Sequence, residues 1–217
     1  MKAYAVATPH GPVSAEFDAA ESPSGTLFVC APGAGGHKSD KSMLALAAES
    51  NHRGIDVVRF NFVYRERGSG RPDAMPLLLE TWRAVVAEVQ RRHAPARLVL
   101  GGRSLGGRAA SMLLAEGFAA DALLLVAYPL HPPGQPDKLR TAHLGSIAVP
   151  VLCLNGTRDE FCTPGLMREE LAKLGPNWTM HWLEAADHSL HVLKRSGRTD
   201  AEVLAEMGEA TARWLAT

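Results

Sequence analysis

From residue 26 onward, short apolar runs alternate with segments whose apolar residues recur every three or four positions. Runs of the first kind predict strands covered on both faces, and segments of the second kind predict helices with one buried stripe. Thr26–Ala31 reads as a strand, followed by the loop Pro32-Gly33-Ala34-Gly35-Gly36 and a helix over Lys41–Asn51. Residues 55–62, rich in Val and Phe, predict the next strand. Leu78, Trp82, Val85, Val86 and Val89 then fall on one face of a helix. Residues 97–101 predict a strand, and residues 107–115 a helix with Ala109, Met112 and Leu113 as its buried stripe. Further strands are predicted over residues 122–128, 150–155 and 178–183. Thr163-Pro164 supplies an N-cap and first helical position for a helix running to Leu174. Thr199-x-x-Glu202 is a capping box before a last helix lined by Val203, Met207, Ala210 and Trp214. Residues 1–25 are less legible and read as one or two antiparallel edge strands.

Strand-helix alternation of this kind implies an α/β fold, a mainly parallel sheet flanked by helices on both faces. In such sheets ligands sit at the carboxyl ends of the strands. With 217 residues and no linker, repeat or low-complexity stretch, residues 1–217 read as a single domain. Lys+Arg and Asp+Glu both number 23, so no net charge draws the chain to nucleic acid or to a membrane surface. The first ten residues lack the apolar core of a signal peptide, and no run reaches membrane-spanning length. A soluble, cytoplasmic protein is expected. Cys30 and Cys153 lie in apolar runs and, with Cys162, make a sparse set that points to buried thiols rather than disulfides. His188-x-x-His191 stands without further ligands, so no metal site is expected.

Gly102-Arg103-Ser104-Leu105-Gly106 sits between a predicted strand and a predicted helix. A Gly-x-Ser-x-Gly in that context forms a sharp turn that presents the serine hydroxyl at its apex. Five residues match often enough by chance that partners must decide the matter. A serine needs a general base, and the base needs an orienting acid. On a sheet of this type the chain order is serine, acid, histidine. Asp159 leaves the 150–155 strand through a glycine turn, and His188 follows the 178–183 strand. Asp187 is a rival acid, but consecutive side chains usually point apart. Backbone donors for a developing oxyanion are expected at Leu105, directly after the serine, and at Ala34 in the glycine loop. Pro32 has no N–H to offer. Lys38-Ser39 does not complete a phosphate-binding loop, because its two glycine positions hold Pro32 and His37.

From about residue 25 to the end, the chain resembles the α/β-hydrolase superfamily. More closely, it is similar to the small, cap-less members related to dienelactone hydrolase and to the testis-expressed protein 30 group. Residues 101–108, Arg59-Phe60-Asn61-Phe62 and Ala186-Asp187-His188-Ser189-Leu190 carry the closer likeness. Two departures stand out. The glycine loop begins Pro32-Gly33 where that group has His-Gly, and the nucleophile position holds Ser104 where dienelactone hydrolases proper have cysteine. Relatives of the group also include a chromatin-complex subunit.

The expected chemistry is ester hydrolysis through an acyl-enzyme, with no cofactor. Ser104 attacks, His188 relays the proton, Asp159 holds the imidazole, and the Leu105 and Ala34 amides receive the oxyanion. An acyltransferase, a perhydrolase or a peptidase would share these residues; a non-catalytic interaction protein is the reading from another class. Only about 20 residues separate the strands around 130 and 150, which leaves little room for a lid and favours small or soluble esters. Arg65, Arg67 and Arg71 follow the 55–62 strand in a loop, where they recognise an anionic substrate or pair locally with Glu66 and Asp73. Arg103 either binds substrate or pairs with a buried acid. Oligomeric state is not readable.

Overall fold

The computed structural model describes residues 2–216. The chain begins with β1 (Lys2–Val6), β2 (Val13–Asp18), β3 (Thr26–Ala31), α1 (Lys41–Asn51) and β4 (Asp56–Phe60). It continues through α2 (Val63–Glu66), α3 (Met75–His93), β5 (Arg97–Arg103), α4 (Leu105–Ala115) and β6 (Ala122–Val126). After β7 (Val151–Gly156) come α5 (Pro164–Leu171), β8 (Trp178–Leu183) and α6 (Asp200–Leu215). The strands pair in the order β1-β2-β4-β3-β5-β6-β7-β8. β1 and β2 are antiparallel additions at one edge, and the other pairs are parallel.

The continuous apolar runs follow from this architecture, because each central strand feeds two cores. Leu27, Val29, Leu98, Leu100, Leu123, Leu125 and Cys153 face α3 and α4. Phe28, Cys30, Val99, Leu124, Leu152 and Leu154 alternate with them and face α1 and α6. Every second side chain changes layer, so no position on these strands tolerates water. On α3 the buried stripe is the expected one, with the Trp82 ring edge-on to Phe60 at 4.8 Å. The α6 capping box is present on both sides, from Thr199 and from Glu202.

Several boundaries move. The strand expected to reach 128 ends at Val126, because Ala127 turns to φ +51°. The helix expected to reach Leu174 ends at Leu171. Thr163 holds its N-cap position, but its hydroxyl meets His131 Nε2 at 2.9 Å instead of capping the helix. The segment after Phe62 is not simply a loop: it opens with the one-turn helix α2, which carries Arg65. Between β6 and β7 the chain forms only a 3-10 turn, Leu144–Ser146, and no lid.

A buried charge network ties the antiparallel edge to the segment after the glycine loop. The Arg59 side chain, 1% exposed, donates from Nε to Asp18 at 2.7 Å and from Nη2 to Glu16 at 3.0 Å. Its Nη1 donates to the Lys38 carbonyl, and Lys38 Nζ reaches Glu16 at 2.7 Å. Burial opposes ionisation of Glu16, but the hydrogen bonds and charges of Lys38 and Arg59 outweigh it and hold the carboxyl below its usual range. A lowered folded-state pKa stabilises the fold above the unfolded value of about 4.3, and that contribution fades as pH falls through the folded value. Arg59→Leu leaves two carboxylates without their shared cation and is expected to lower unfolding free energy by about 3 kcal/mol in urea titrations at pH 7. Glu16→Gln is expected to be less stable than wild type at pH 7, with the gap narrowing as titrations are repeated at decreasing pH below about 4.

Candidate active site

Where β5 passes into α4 the backbone reverses within one residue, and that residue is Ser104, at φ +48° and ψ −114°. A non-glycine residue there carries strain of about 1–3 kcal/mol that its surroundings must hold. They hold it by close backbone packing. A β-carbon on Gly102, at φ +135°, would stand 2.2 Å from the Ala31 carbonyl oxygen, and one on Gly106 would meet the same oxygen at 2.2 Å. The Ser104 N–H donates to the Val126 carbonyl at 2.8 Å, fixing the apex against β6.

Asp159 and His188 arrive from the neighbouring strand ends. The turn after β7 is locked to the exit of β8 by Arg158 N–H to Ala186 O at 2.9 Å and Thr157 N–H to Leu183 O at 3.1 Å. His188 Nδ1 then lies 2.9 and 3.0 Å from the two Asp159 carboxylate oxygens, and its Nε2 lies 3.0 Å from Ser104 Oγ. The Asp159 side chain is fully buried, while the imidazole is 14% exposed. A carboxylate on Nδ1 places the ring proton there and leaves Nε2 to accept from the hydroxyl. Asp187 is not part of this chain. Its carboxylate accepts the N–H groups of Ser189 and His191 within its own turn. His191 turns to Asp200, so the two histidines of the His-x-x-His pair part company.

Two supporting residues had no signal of their own in the sequence. Asn155 donates from Nδ2 to Asp159 Oδ2 at 3.1 Å and to the Tyr128 carbonyl at 3.0 Å, and accepts the Tyr128 N–H at 3.0 Å. Phe161 donates its N–H to Asp159 Oδ1 at 2.8 Å and lays its ring 4.2 Å from the imidazole. An asparagine ending a buried strand was the only available hint.

Leu105 is the first residue of α4, where backbone N–H groups lack helical acceptors. The glycine loop lies beside it: a β-carbon on Gly33 would come within 3.4 Å of Ser104 Cβ. Gly36 N–H bonds Gly33 O at 3.0 Å and Gly35 has φ +68°, so Ala34, which is exposed, occupies the first central position of a type II turn. Tyr64, the residue before Arg65, borders this loop, its hydroxyl donating to Gly33 O at 3.5 Å. Arg67 pairs with Asp73 at 2.5 Å, and Arg65 donates to Ser69 O at 3.1 Å. Glu66 pairs with neither, since its carboxylate accepts from Ser14. Arg103 does not pair with a buried acid as an ion pair. Its Nη2 donates to the His188 carbonyl at 2.8 Å, tethering the histidine loop. Burial pushes the pKa of this guanidinium down, against the pull of Asp159, Asp40 and Asp187.

The family model described as an alpha/beta hydrolase domain matches residues 24–216. The chain belongs to the α/β-hydrolase family. Among solved structures, this α/β hydrolase is similar to XC6422 from Xanthomonas campestris, described as a member of the a/b serine hydrolases without lid. That match has 24% identity, 98% of this chain, 94% of the other and a TM-score of 0.79. An alpha-beta serine hydrolase homologue from Coxiella burnetii matches at 19% identity, over 98% of this chain and 96% of that one, with a TM-score of 0.78. Est1E from Butyrivibrio proteoclasticus matches at 14% identity over the whole of both chains, with a TM-score of 0.77. At these identities the likeness is one of fold, and that fold has no lid.

Crowding at the elbow yields a direct test. Gly106→Ala is expected to unfold the protein or lower its Tm by at least about 10 °C, because a backbone carbonyl cannot yield cheaply. Gly145→Ala, where no atom lies within 4 Å of the added carbon, is expected to change stability by less than about 0.5 kcal/mol. Thermal denaturation of both variants checks the pair.

Proposed function

We propose that this α/β hydrolase cleaves small carboxylic esters through an acyl-enzyme, with Ser104 as nucleophile. The observation that carries the reading is the unbroken path from Ser104 Oγ through both nitrogens of His188 to the buried Asp159 carboxylate. In the proposed reaction His188 Nε2 takes the Ser104 proton as Oγ attacks the ester carbonyl. The imidazolium that forms is stabilised by Asp159, whose second oxygen is held by Asn155. Charge gathers on the carbonyl oxygen, where the Leu105 and Ala34 amides donate to it. His188 then returns the proton to the leaving alcohol, and water repeats the sequence to release the acid. No step calls for a metal or an organic cofactor.

An open approach to Ser104, without a lid, favours compact or soluble esters over long acyl chains. In this reading Arg65 and Arg67, in the segment that follows β4, meet the outer part of such a substrate, Arg67 by releasing Asp73. Arg103 works at one remove, holding the His188 loop by its carbonyl. Support also comes from the descriptions of similar folds, an esterase domain from Rhodothermus marinus and Est1E with ferulic acid bound.

Wild-type protein is expected to react with a fluorophosphonate probe, and Ser104→Ala to show no labelling. Folded wild type that stays unlabelled would sink the proposal. Against 4-nitrophenyl esters, Ser104→Ala and His188→Ala are each expected to lose about 10⁴-fold or more in kcat.

The Ala34 donor has its own test. Proline suits the first central position of a type II turn, so Ala34→Pro removes the N–H while the turn is kept. Its kcat is expected to fall by about 10²–10³ with little change in Tm, read from steady-state kinetics and calorimetry. An unchanged kcat would assign the second oxyanion donor elsewhere.

A further inference from the structure

One turn beyond the nucleophile, α4 carries a polar group that the triad does not use. The Arg108 N–H donates to the Ser104 carbonyl at 2.9 Å, which puts the two residues about 6 Å apart along the helix axis. Ser111 lies on the same helix face, three residues on. Its hydroxyl donates to the Arg108 carbonyl at 2.7 Å and accepts from His143 Nε2 at 2.8 Å. Arg140 is fixed close by: its N–H bonds Leu130 O at 2.8 Å, and its carbonyl accepts the Tyr128 hydroxyl at 2.7 Å. Two guanidinium groups and an imidazole thus gather between α4 and the segment that follows β6. Burial, then the Arg108 charge, lowers the Arg140 pKa and pushes His143 down to about 4.

No carboxylate answers them. Among the described residues, none lies within ion-pair distance of Arg108, Arg140 or His143. Arg108 Nε is buried without an acceptor, and the remaining Arg140 guanidinium bond is 3.4 Å, to the Pro129 carbonyl. The buried cations of Arg59 and Lys38, by contrast, are neutralised by Glu16 and Asp18. Arg108, Arg140 and His143 are half-buried, and like charges held together with part of their water removed are unfavourable unless an anion joins them.

We propose that Arg108, Arg140 and His143 form an anion subsite beside Ser104, and that the ester cleaved carries a second, negatively charged group. The proposal rests on the esterase reading and narrows its substrate class to esters bearing a carboxylate or phosphate. Guanidinium forks match the oxygens of either group. The anion sits on the face of α4 that leads away from the nucleophile, so one rigid helix sets the distance between charge and scissile carbonyl.

Two measurements test it. In Ser104→Ala, which keeps the ligand intact, histidine side-chain NMR is followed against pH with monomethyl succinate, inorganic phosphate or neutral methyl butyrate. The His143 signal is identified by its loss in His143→Gln. An anion between these groups is expected to raise the His143 midpoint by about one pH unit or more, while methyl butyrate leaves it in place. The larger response names carboxylate or phosphate as the group recognised, and no response to either anion overturns the subsite. The second measurement is the kcat/KM ratio of 4-nitrophenyl hemisuccinate over 4-nitrophenyl butyrate (4-nitrophenyl phosphonoacetate replaces the hemisuccinate where phosphate responds more). Arg140→Gln is expected to lower this ratio about tenfold and Arg140→Lys to restore part of it. A ratio that Arg140→Gln leaves unchanged overturns the proposal. Fluorophosphonate labelling of the same wild-type sample separates the two readings. Labelling without an anion response removes the subsite alone, whereas absent labelling removes the esterase and leaves the NMR titration to judge the subsite.

Discussion

Three stretches of backbone converge on the carbonyl oxygen of Ala31, and their contact sets the geometry at the carboxyl edge of the sheet. That oxygen stands 2.2 Å from the place a β-carbon would take on Gly102 and 2.2 Å from the place it would take on Gly106. Only glycine at both positions lets β3, β5 and the first turn of α4 approach this closely. The approach forces the chain to reverse at Ser104, which takes a positive φ that a serine does not choose freely. The strain is borne by contacts that unfolding would have to break together, so the hydroxyl is held in place before any substrate arrives. The same approach seats the 32–36 loop beside Ser104 and the N-terminus of α4 beneath it.

A second junction of the same type serves the other half of the site. A β-carbon on Gly156 would stand 2.1 Å from the Ala186 carbonyl oxygen, so the turn after β7 and the loop after β8 are in backbone contact. Asp159 and His188 are brought together by that contact rather than by attraction between their side chains. Burial of an ionised carboxylate is unfavourable without partners, and Asp159 has three: His188, Asn155 and the Phe161 N–H. Asn155 also ties this half of the site to the segment just beyond β6, since its amide grips both backbone groups of Tyr128.

The strand order along the chain and the residues Ser104, Asp159 and His188 were legible because each rests on a local pattern. Apolar runs mark buried strands, a five-residue motif marks the elbow, and an acid and a histidine after successive strands complete the order. What escaped was set by tertiary contact. Ala127 has no sequence feature announcing a positive φ, yet it ends β6 two residues early because its N–H bonds Leu154 O at 2.7 Å. Arg103 next to a serine gives no hint that its acceptor is the carbonyl of a residue 85 positions away. Glu66 appeared a natural partner for the nearby arginines, but its carboxylate reaches Ser14 across 52 residues instead. Asn155 looked like the polar end of a strand until the position of Asp159 gave it a role.

Three buried or half-buried arginines near this edge differ in what accepts from them, and the difference sorts their roles. Arg59 donates to two carboxylates and a carbonyl, so its charge is neutralised and it acts as a brace for the antiparallel edge. Arg103 donates to one carbonyl, that of His188, and burial lowers its pKa while the charge of Asp159 raises it. Its hydrogen bond ties the histidine loop to the residue before the nucleophile. Removing it would loosen that tether, which makes it a positioning residue for His188. Arg108 Nε is buried with no acceptor among the described residues, although Arg108 shares the helix that begins at the nucleophile. Arg59 meets its counterions and Arg103 at least a carbonyl, and against them the open guanidinium of Arg108 fits a partner that arrives with the substrate, as proposed above.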